Sequence, residues 1–386
     1  MFGSIRRKAA AVLLTIGLAA CQVVPDGGRP GPTTPEPTKP VEPSDTALPT
    51  DTARHRIALL VPLSGENAEV GRSIANATTM ALLDTNAENL RITTYDTAAG
   101  VGSATSSAIA DGNKLILGPL MASEVTSVLA QARPANVPLI TFSNDTSVAQ
   151  PDVFVMGHVP EQSIERSIEY VAMQGVRRFA ALVPNGDYGD RTANALEGAV
   201  MSIQGTLIAV ERYDRNNTSV VSAANRLKAR GGYDAVLIAD GANHTIRAAG
   251  ALKKPADTVP VILGTELLNG DATVAASPAM RGALFSAVSD NRYRQFVTSY
   301  RTRFGEQPHR IATLGYDSVL LTLRIAREWQ TGTTLPVRRM LAPEGFLGID
   351  GPFRFLRSGI AERAMEVRRV GNGAISVVDG APTQFD

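Results

Sequence analysis

The hydrophobic pattern between residues 56 and 83 predicts a strand, a tight loop and a long helix. Residues 57–61 form an uninterrupted apolar run, which is typical of a strand covered on both faces in a parallel sheet. Pro62 ends the run, and apolar residues then recur at helical spacing over 70–83. This order opens a doubly wound α/β domain, in which ligands bind beyond the carboxyl ends of the strands. Ser64, in the first loop, is therefore a candidate binding residue.

Two later loops carry polar side chains at the ends of predicted strands. One apolar run is followed by a helix predicted to start at Ser123, and the next run ends in Ser143 and Asn144. Because the carboxyl ends of parallel strands meet at one sheet edge, we expect these side chains near Ser64. Free N–H groups at helix N-termini there suit a carboxylate. Ser and Asn also cap helices at such positions, so a capping role stays open for each of them.

The strand and helix pattern restarts after residue 157 and predicts a second sheet domain. Apolar runs of strand length alternate with helical patterns up to residue 263. The loops at the carboxyl edge of this second sheet contain Tyr188 and Glu266. Two such domains that face each other form a cleft, which is a usual place for a ligand. The remaining residues predict two helices and then β structure, at 290–305, 311–329, 353–356, 364–370 and 374–378.

The first twenty residues have the pattern of an export signal. Three basic residues precede a short apolar stretch at 9–20, which is too short to span a bilayer as a permanent helix. Cys21, the only cysteine, follows Leu-Ala-Ala, and this arrangement resembles the bacterial lipoprotein signal. The resemblance implies cleavage of residues 1–20, acylation of Cys21 and membrane anchoring through the acyl chains. Gln22 in the next position resembles lipoproteins sent to the outer membrane, facing the periplasm. A plain signal peptide with a chance cysteine is the alternative.

Residues 21–54 are predicted to be a Pro-rich disordered linker. Eight prolines lie between residues 22 and 53, among Thr, Glu, Ser and Gly. Such a segment buries too little apolar surface to fold, and its prolines favour extended geometry. The linker is either a passive spacer or a tether that carries the folded part toward a partner.

Composition and motifs exclude several function classes. The chain has 386 residues, 44% of them hydrophobic and 19% charged, which is ordinary globular composition. A net charge of +1 without a dense basic run argues against nucleic-acid binding. The four histidines show no metal-ligand spacing, and there is neither a G-x-S-x-G elbow nor a phosphate-binding loop. We therefore predict a protein that is not an enzyme, with no catalytic residues, metal or cofactor.

Several fragments, taken in order, resemble one known family. They include IALLVPLSG, VPLITFSND, LVPNGDYGDRTANAL, VILGTELLN and YRTRFGEQPHRIATLGYDSVLL. Together they resemble the type I periplasmic binding protein fold, over roughly residues 55–380. The resemblance implies two α/β lobes, each with a mostly parallel doubly wound sheet, joined by three crossings and closed by hinge motion. The implied division is 55–157 plus 264–325 for the N-terminal lobe, and 158–263 plus 326–386 for the C-terminal lobe.

Two branches of this family imply different functions. The amino-acid receptors of ABC transport systems imply a site in which Ser123, Ser143, Tyr188 and Glu266 hold a ligand's carboxylate and ammonium. Glu124 departs from that branch, because it places a carboxylate where small hydroxyl residues are usual, and like charges repel.

The second branch is the penicillin-binding protein activators, and the chain resembles it in three features. These are the lipoprotein signal, the Pro-rich linker and the C-terminal runs at 346–351, 360–363 and 367–370. This resemblance implies a periplasmic lipoprotein that docks on a peptidoglycan synthase and regulates it. The α/β pattern begins at residue 56, so a contact through an N-terminal helical-repeat domain is not expected. We favour the activator interpretation over the solute receptor, and a ligand-gated activator combines the two.

Overall fold

A computed structural model describes residues 53–253 and 260–385. The predicted signal peptide, Cys21 and all but the end of the linker lie outside the described residues. Within the described ranges, no helix has both the length and the apolar character needed to cross a membrane.

The first lobe begins with a parallel sheet in which the apolar run predicted at 57–61 is an interior strand. Every side chain of that run is buried, because helices cover both faces of the sheet. The sheet has the order β2-β1-β3-β4-β5 and consists of β1 (His55–Val61), β2 (Leu90–Asp96), β3 (Leu115–Leu117), β4 (Leu139–Thr141) and β5 (Val153–Val155). The helices along it are α1 (Ala68–Asp84), α2 (Val101–Ala110) and α3 (Ala122–Ala132).

The second lobe repeats this construction after the first crossing. Its parallel strands are β6 (Arg178–Pro184), β7 (Thr206–Tyr213), β8 (Ala235–Ile238), β9 (Val261–Leu263) and β10 (Leu284–Val288). Its helices are α4 (Pro160–Met173), α5 (Asp187–Ser202), α6 (Ser219–Arg230), α7 (Ala242–Lys253) and α8 (Ala272–Ala276). Helix α5 begins earlier than predicted, so Tyr188 lies in its first turn and not in the preceding loop.

The chain then returns to the first lobe. Helices α9 (Tyr293–Phe304) and α10 (Thr313–Ala326) pack against α1, with Phe296 and Tyr300 of α9 buried on Met80. A small antiparallel sheet follows, and Phe355 in it contacts Phe154 edge-on, with ring centroids 5.1 Å apart. The strands of this sheet are β11 (Phe346–Gly348), β12 (Gly351–Phe355) and β13 (Ala361–Arg363).

The last two strands complete the second lobe. Strands β14 (Met365–Val370) and β15 (Ile375–Asp379) add antiparallel strands beyond β10, giving the order β15-β14-β10-β9-β8-β6-β7. The described residues therefore pass between the lobes at three places, after β5, after β10 and between β13 and β14. The predicted two-lobed α/β architecture is confirmed, with one parallel and one mixed sheet.

The boundaries of the lobes differ from the expected division. We expected residues 264–325 in the first lobe, but 264–288 lie in the second, where Leu284–Val288 is a buried strand between β9 and β14. We expected 326–386 in the second lobe, but 346–363 pack on the first. The cause is β10, an apolar run that the sequence analysis did not recognise as a strand, which moves the second crossing to residues 289–292.

Each lobe opens with the same close contact between a strand end and a helix. A Cβ atom on Gly71 of α1 would lie 1.8 Å from the carbonyl oxygen of Pro62, and one on Gly189 of α5 would lie 1.7 Å from that of Pro184. Only glycine allows a helix to approach the strand end this closely. The contact fixes where the first turn of each helix begins, and therefore where Tyr188 lies.

We predict that Gly189→Ala destabilises the protein by about 1–3 kcal/mol or more, because the helix must move away from the strand. The matched control is Gly198→Ala in the same helix, where a Cβ atom would meet nothing within 4 Å. That substitution should increase stability by about 0.5–1 kcal/mol through helix propensity alone. Urea denaturation of the two variants measures both changes. Equal effects would contradict the close-contact account.

Candidate functional site

A cavity of about 540 Å³ lies between the lobes, at the carboxyl edges of both large sheets. Four of the six predicted ligand residues line it, Ser143 and Asn144 from the first lobe and Tyr188 and Glu266 from the second. The volume is in the range of small-molecule sites, which are mostly apolar with a few placed polar groups. Apolar side chains form much of the remaining wall, namely Leu120, Met121, Phe142, Leu267, Val288, Ile311, Leu314 and Met365.

The other two predicted residues, Ser64 and Ser123, do not line the cavity. Ser64 Oγ donates a hydrogen bond to Asp96 Oδ2 over 3.1 Å. Ser123 is exposed in the first turn of α3, although its neighbour Ala122 does line the cavity. Glu124 is also outside the lining, and burial raises the pKa of its carboxyl. The first lobe therefore does not offer the hydroxyl predicted at position 123.

Ser143 lines the cavity but is also engaged in the turn after β4, while Asp145 caps the short helix that follows. Its Oγ accepts a hydrogen bond from the N–H of Asp145 at 3.0 Å. Its own N–H donates to Thr141 Oγ1 at 3.1 Å. Both groups thus stabilise the turn after β4, which reduces what Ser143 can offer a bound anion.

Tyr188 and Glu266 meet on the second-lobe wall. Tyr188 Oη donates to Glu266 Oε1 over 3.1 Å, and Thr265 Oγ1 lies 3.0 Å from the same hydroxyl. Glu266 Oε2 is buried and makes no hydrogen bond. Burial raises the pKa of Glu266 to about 8, and burial together with the charge of Glu266 raises the pKa of Tyr188 well above its ordinary value. Near neutral pH, Glu266 is therefore mostly protonated.

Arg191 connects the lobes beside these residues. From α5 it forms a bidentate ion pair with Glu161, at 2.9 Å for each nitrogen, and its Nη2 also donates to the carbonyl oxygen of Asn144 at 2.6 Å. Arg191 was not predicted from the sequence. Its position three residues after Tyr188, on the same face of the helix, could have indicated that it lies near the cavity.

A buried polar cluster contributes Arg310 and His158 to the lining of the cavity. Arg310 Nη1 donates to Asp350 Oδ1 at 2.7 Å, and the hydroxyl of Thr313 donates to Asp350 Oδ2 at 2.8 Å. Burial lowers the pKa of His158 despite the adjacent carboxylate, and His158 Nε2 lies within hydrogen-bonding distance of Asp350 Oδ2, at 2.8 Å. Burial would raise the pKa of Asp350, but Arg310 and His158 hold it below its ordinary value. These residues are far apart in sequence, so no local pattern could have identified them.

The arrangement can bind a small molecule that has both apolar and charged parts. The cavity wall combines apolar residues with charged or titratable side chains, namely Asp145, His158, Asp187, Arg191, Glu266 and Arg310. Among the residues that the structure describes, no cluster of His, Cys, Asp or Glu could hold a metal ion.

Comparison with known proteins identifies the class. Residues 55–374 match the periplasmic binding protein family, and the chain belongs to that family. Members of the family are binding proteins rather than enzymes, and membership indicates a location in the periplasm or cell envelope.

Individual relatives are more distant. The uncharacterized protein RP748 of Rickettsia prowazekii is 28% identical over 173 residues, 44% of this chain and 46% of that protein. The penicillin-binding protein activator LpoA of Glaesserella parasuis is 28% identical over 141 residues, 36% of this chain and 24% of the activator. The matched segments thus span less than half the length of these relatives.

A solved structure shows the same fold. The branched-chain amino acid transporter substrate binding protein LivJ of Streptococcus pneumoniae, in complex with isoleucine, superimposes with a TM-score of 0.65. The superposition covers 85% of this chain and all of that one, at 19% identity. It confirms the type I periplasmic binding fold that the sequence resembled.

We predict that Glu266→Gln increases stability more at pH 8 than at pH 5. The carboxyl titrates near its ordinary 4.5 in the unfolded chain but near 8 in the folded protein, so its contribution to stability falls as pH rises through this window. Glutamine does not ionise, so the stability that the variant gains over the wild type should grow by at most about 1.4 kcal/mol per pH unit. Urea denaturation of both proteins at several pH values measures this difference in stability. A gain that is independent of pH would contradict the buried, protonated carboxyl.

Proposed function

We propose that this protein is a non-enzymatic, lipid-anchored periplasmic protein that docks on a peptidoglycan synthase and regulates it. The observation that carries the proposal is the sequence match to a penicillin-binding protein activator, at 28% identity over 36% of this chain. The solved amino-acid receptor supports the fold alone, because its identity of 19% is too low to transfer a function. The outer-membrane location and the anchor at Cys21 belong to the same proposal.

A small-solute receptor is the second candidate, and the cleft favours it. Tyr188 and Glu266 lie together in the cavity, at the positions that the resemblance to amino-acid receptors implies. A ligand in this cleft touches both lobes, so binding would favour one lobe arrangement over another. The two functions are compatible, since a ligand-responsive lobe arrangement can control docking on a synthase.

The docking proposal predicts a stable complex with a synthase of the protein's own cell. The acylated protein, incorporated in vesicles, should retain a penicillin-binding synthase from a solubilised envelope extract. It should also raise the rate at which the purified synthase polymerises or cross-links lipid-linked precursor. The matched control is a vesicle without the protein. If none of the cell's periplasmic synthases is retained or stimulated, the docking proposal is wrong.

Two variants test the lipid anchor by membrane fractionation. A Cys21→Ser chain cannot be acylated, so it should leave the membrane fraction and remain in the periplasmic extract. Gln22→Asp should keep the protein on a membrane but shift it from the outer to the inner membrane. A Cys21→Ser chain that still fractionates with the outer membrane would contradict lipid anchoring while leaving docking open.

A further inference from the structure

Arg310 occupies an unusual position for a buried cation. It begins the short helical turn before α10, and its side chain is 13% accessible and lines the interlobe cavity. The guanidinium stacks over the ring of Tyr293, with its central carbon 4.1 Å from the ring centroid, and Asp350 holds Nη1. Two contacts therefore fix its plane and leave its other edge available.

The other edge of this guanidinium has donors that the protein does not satisfy. Arg310 Nε and Nη2 are buried and make no hydrogen bond. Asp290 Oδ1 lies 3.5 Å from Nη2 without forming a hydrogen bond and is itself a buried oxygen without a partner, while Asp290 Oδ2 pairs with Arg368 at 2.6 Å. A planar guanidinium with two adjacent free donors matches the geometry of a carboxylate.

The second lobe contributes a complementary group to the same cavity. Glu266, on the second lobe, has a buried oxygen without a partner, while Arg310 belongs to the first lobe. The cavity wall also has apolar residues, with Phe142, Ile311 and Leu314 among them. The first-lobe groups expected to hold a carboxylate are not available, because Ser123 is outside the cavity and Ser143 is engaged in its own turn.

We propose that Arg310 binds the carboxylate of the cleft ligand, and that this ligand is an amino-carboxylate whose protonated amine faces Glu266. The ligand then joins the first lobe to the second through its two charged ends, with its apolar part against the wall. The proposal rests on the second candidate function, ligand binding in the cleft, and is independent of docking on a synthase. Binding the amine favours the ionised form of Glu266, so a proton leaves the protein near neutral pH.

Isothermal titration of the mature protein tests the assignment with matched ligands. The probes are leucine, glutamate and meso-diaminopimelate, each compared with its full amide, in which every carboxylate is converted to a carboxamide and the amines are kept. We expect at least one acid to bind, and its amide to bind about 10-fold more weakly or worse. Titration in buffers of different ionisation enthalpy should show proton release with the wild-type protein and none with Glu266→Gln.

Arg310→Gln should remove the preference for the acid over the amide. The matched control is Arg303→Gln, which alters an arginine paired with Asp84 outside the cavity and should keep the preference. If Arg310→Gln does not fold, the comparison of acid and amide on the wild-type protein still tests whether the cleft requires the ligand's carboxylate. Equal affinity for acid and amide, or a preference that survives Arg310→Gln, would overturn the role of Arg310 and leave the receptor function standing. No binding of any probe would overturn both.

Discussion

A chain of ion pairs and hydrogen bonds, buried except for the partly exposed Asp290, links the segments that cross between the lobes, and we infer that the arrangement of the two lobes depends on it. Arg368 pairs with Asp290, Asp290 lies 3.5 Å from Arg310, Arg310 pairs with Asp350, and Asp350 accepts from His158. The members come from both lobes and from the segments that connect them. Removing one partner of a buried pair leaves an uncompensated charge, at a cost of about 3–5 kcal/mol. These charges therefore specify how the crossings meet, which apolar packing alone would not do.

The same chain connects the hinge to the cleft. Arg310 is a member of the hinge network and also lines the cavity, so a ligand that contacts it also contacts the groups that hold the crossings together. At the other side of the cavity, Arg191 already bridges from α5 to the carbonyl oxygen of Asn144. A ligand can shift the lobe arrangement only if it binds one arrangement more tightly than another. Such a difference in affinity arises at groups that contact both lobes.

This fold serves receptors and activators alike, so the fold does not decide between them. A regulatory protein and a receptor share a cleft in which a bound ligand can change the lobe arrangement, and a partner protein can respond to that change. The predicted anchor at Cys21 and the predicted linker up to residue 54 fit a protein that must reach a partner from a membrane. The ligand chemistry of the cleft and the docking partner are thus separate questions, and each has its own test.

Local sequence predicted most of the elements, because each lies within one short window. The apolar run at 57–61 and the later alternation of strands and helices identified both lobes. Tyr188 and Glu266 were identified by the resemblance to amino-acid receptors, within loops predicted at a sheet edge. Strand β10 was missed because Ser286 interrupts its apolar run, and this misplaced the lobe boundaries. Arg310 and Asp350 could not be found, because only tertiary folding brings together residues 40 positions apart.

The most direct test of the central claim, a ligand-responsive cleft between the lobes, is a distance measurement across its mouth. Ser123 of the first lobe and Asn185 of the second are exposed and lie outside the cavity lining, close in sequence to Ala122 and Asp187, which line it. Spin labels on cysteines at these two positions, in a Cys21→Ser background, report their separation by pulsed electron resonance. We predict that a saturating amino-carboxylate narrows the distance distribution and shifts it to shorter values. A distribution that stays unchanged while titration shows binding would contradict the account.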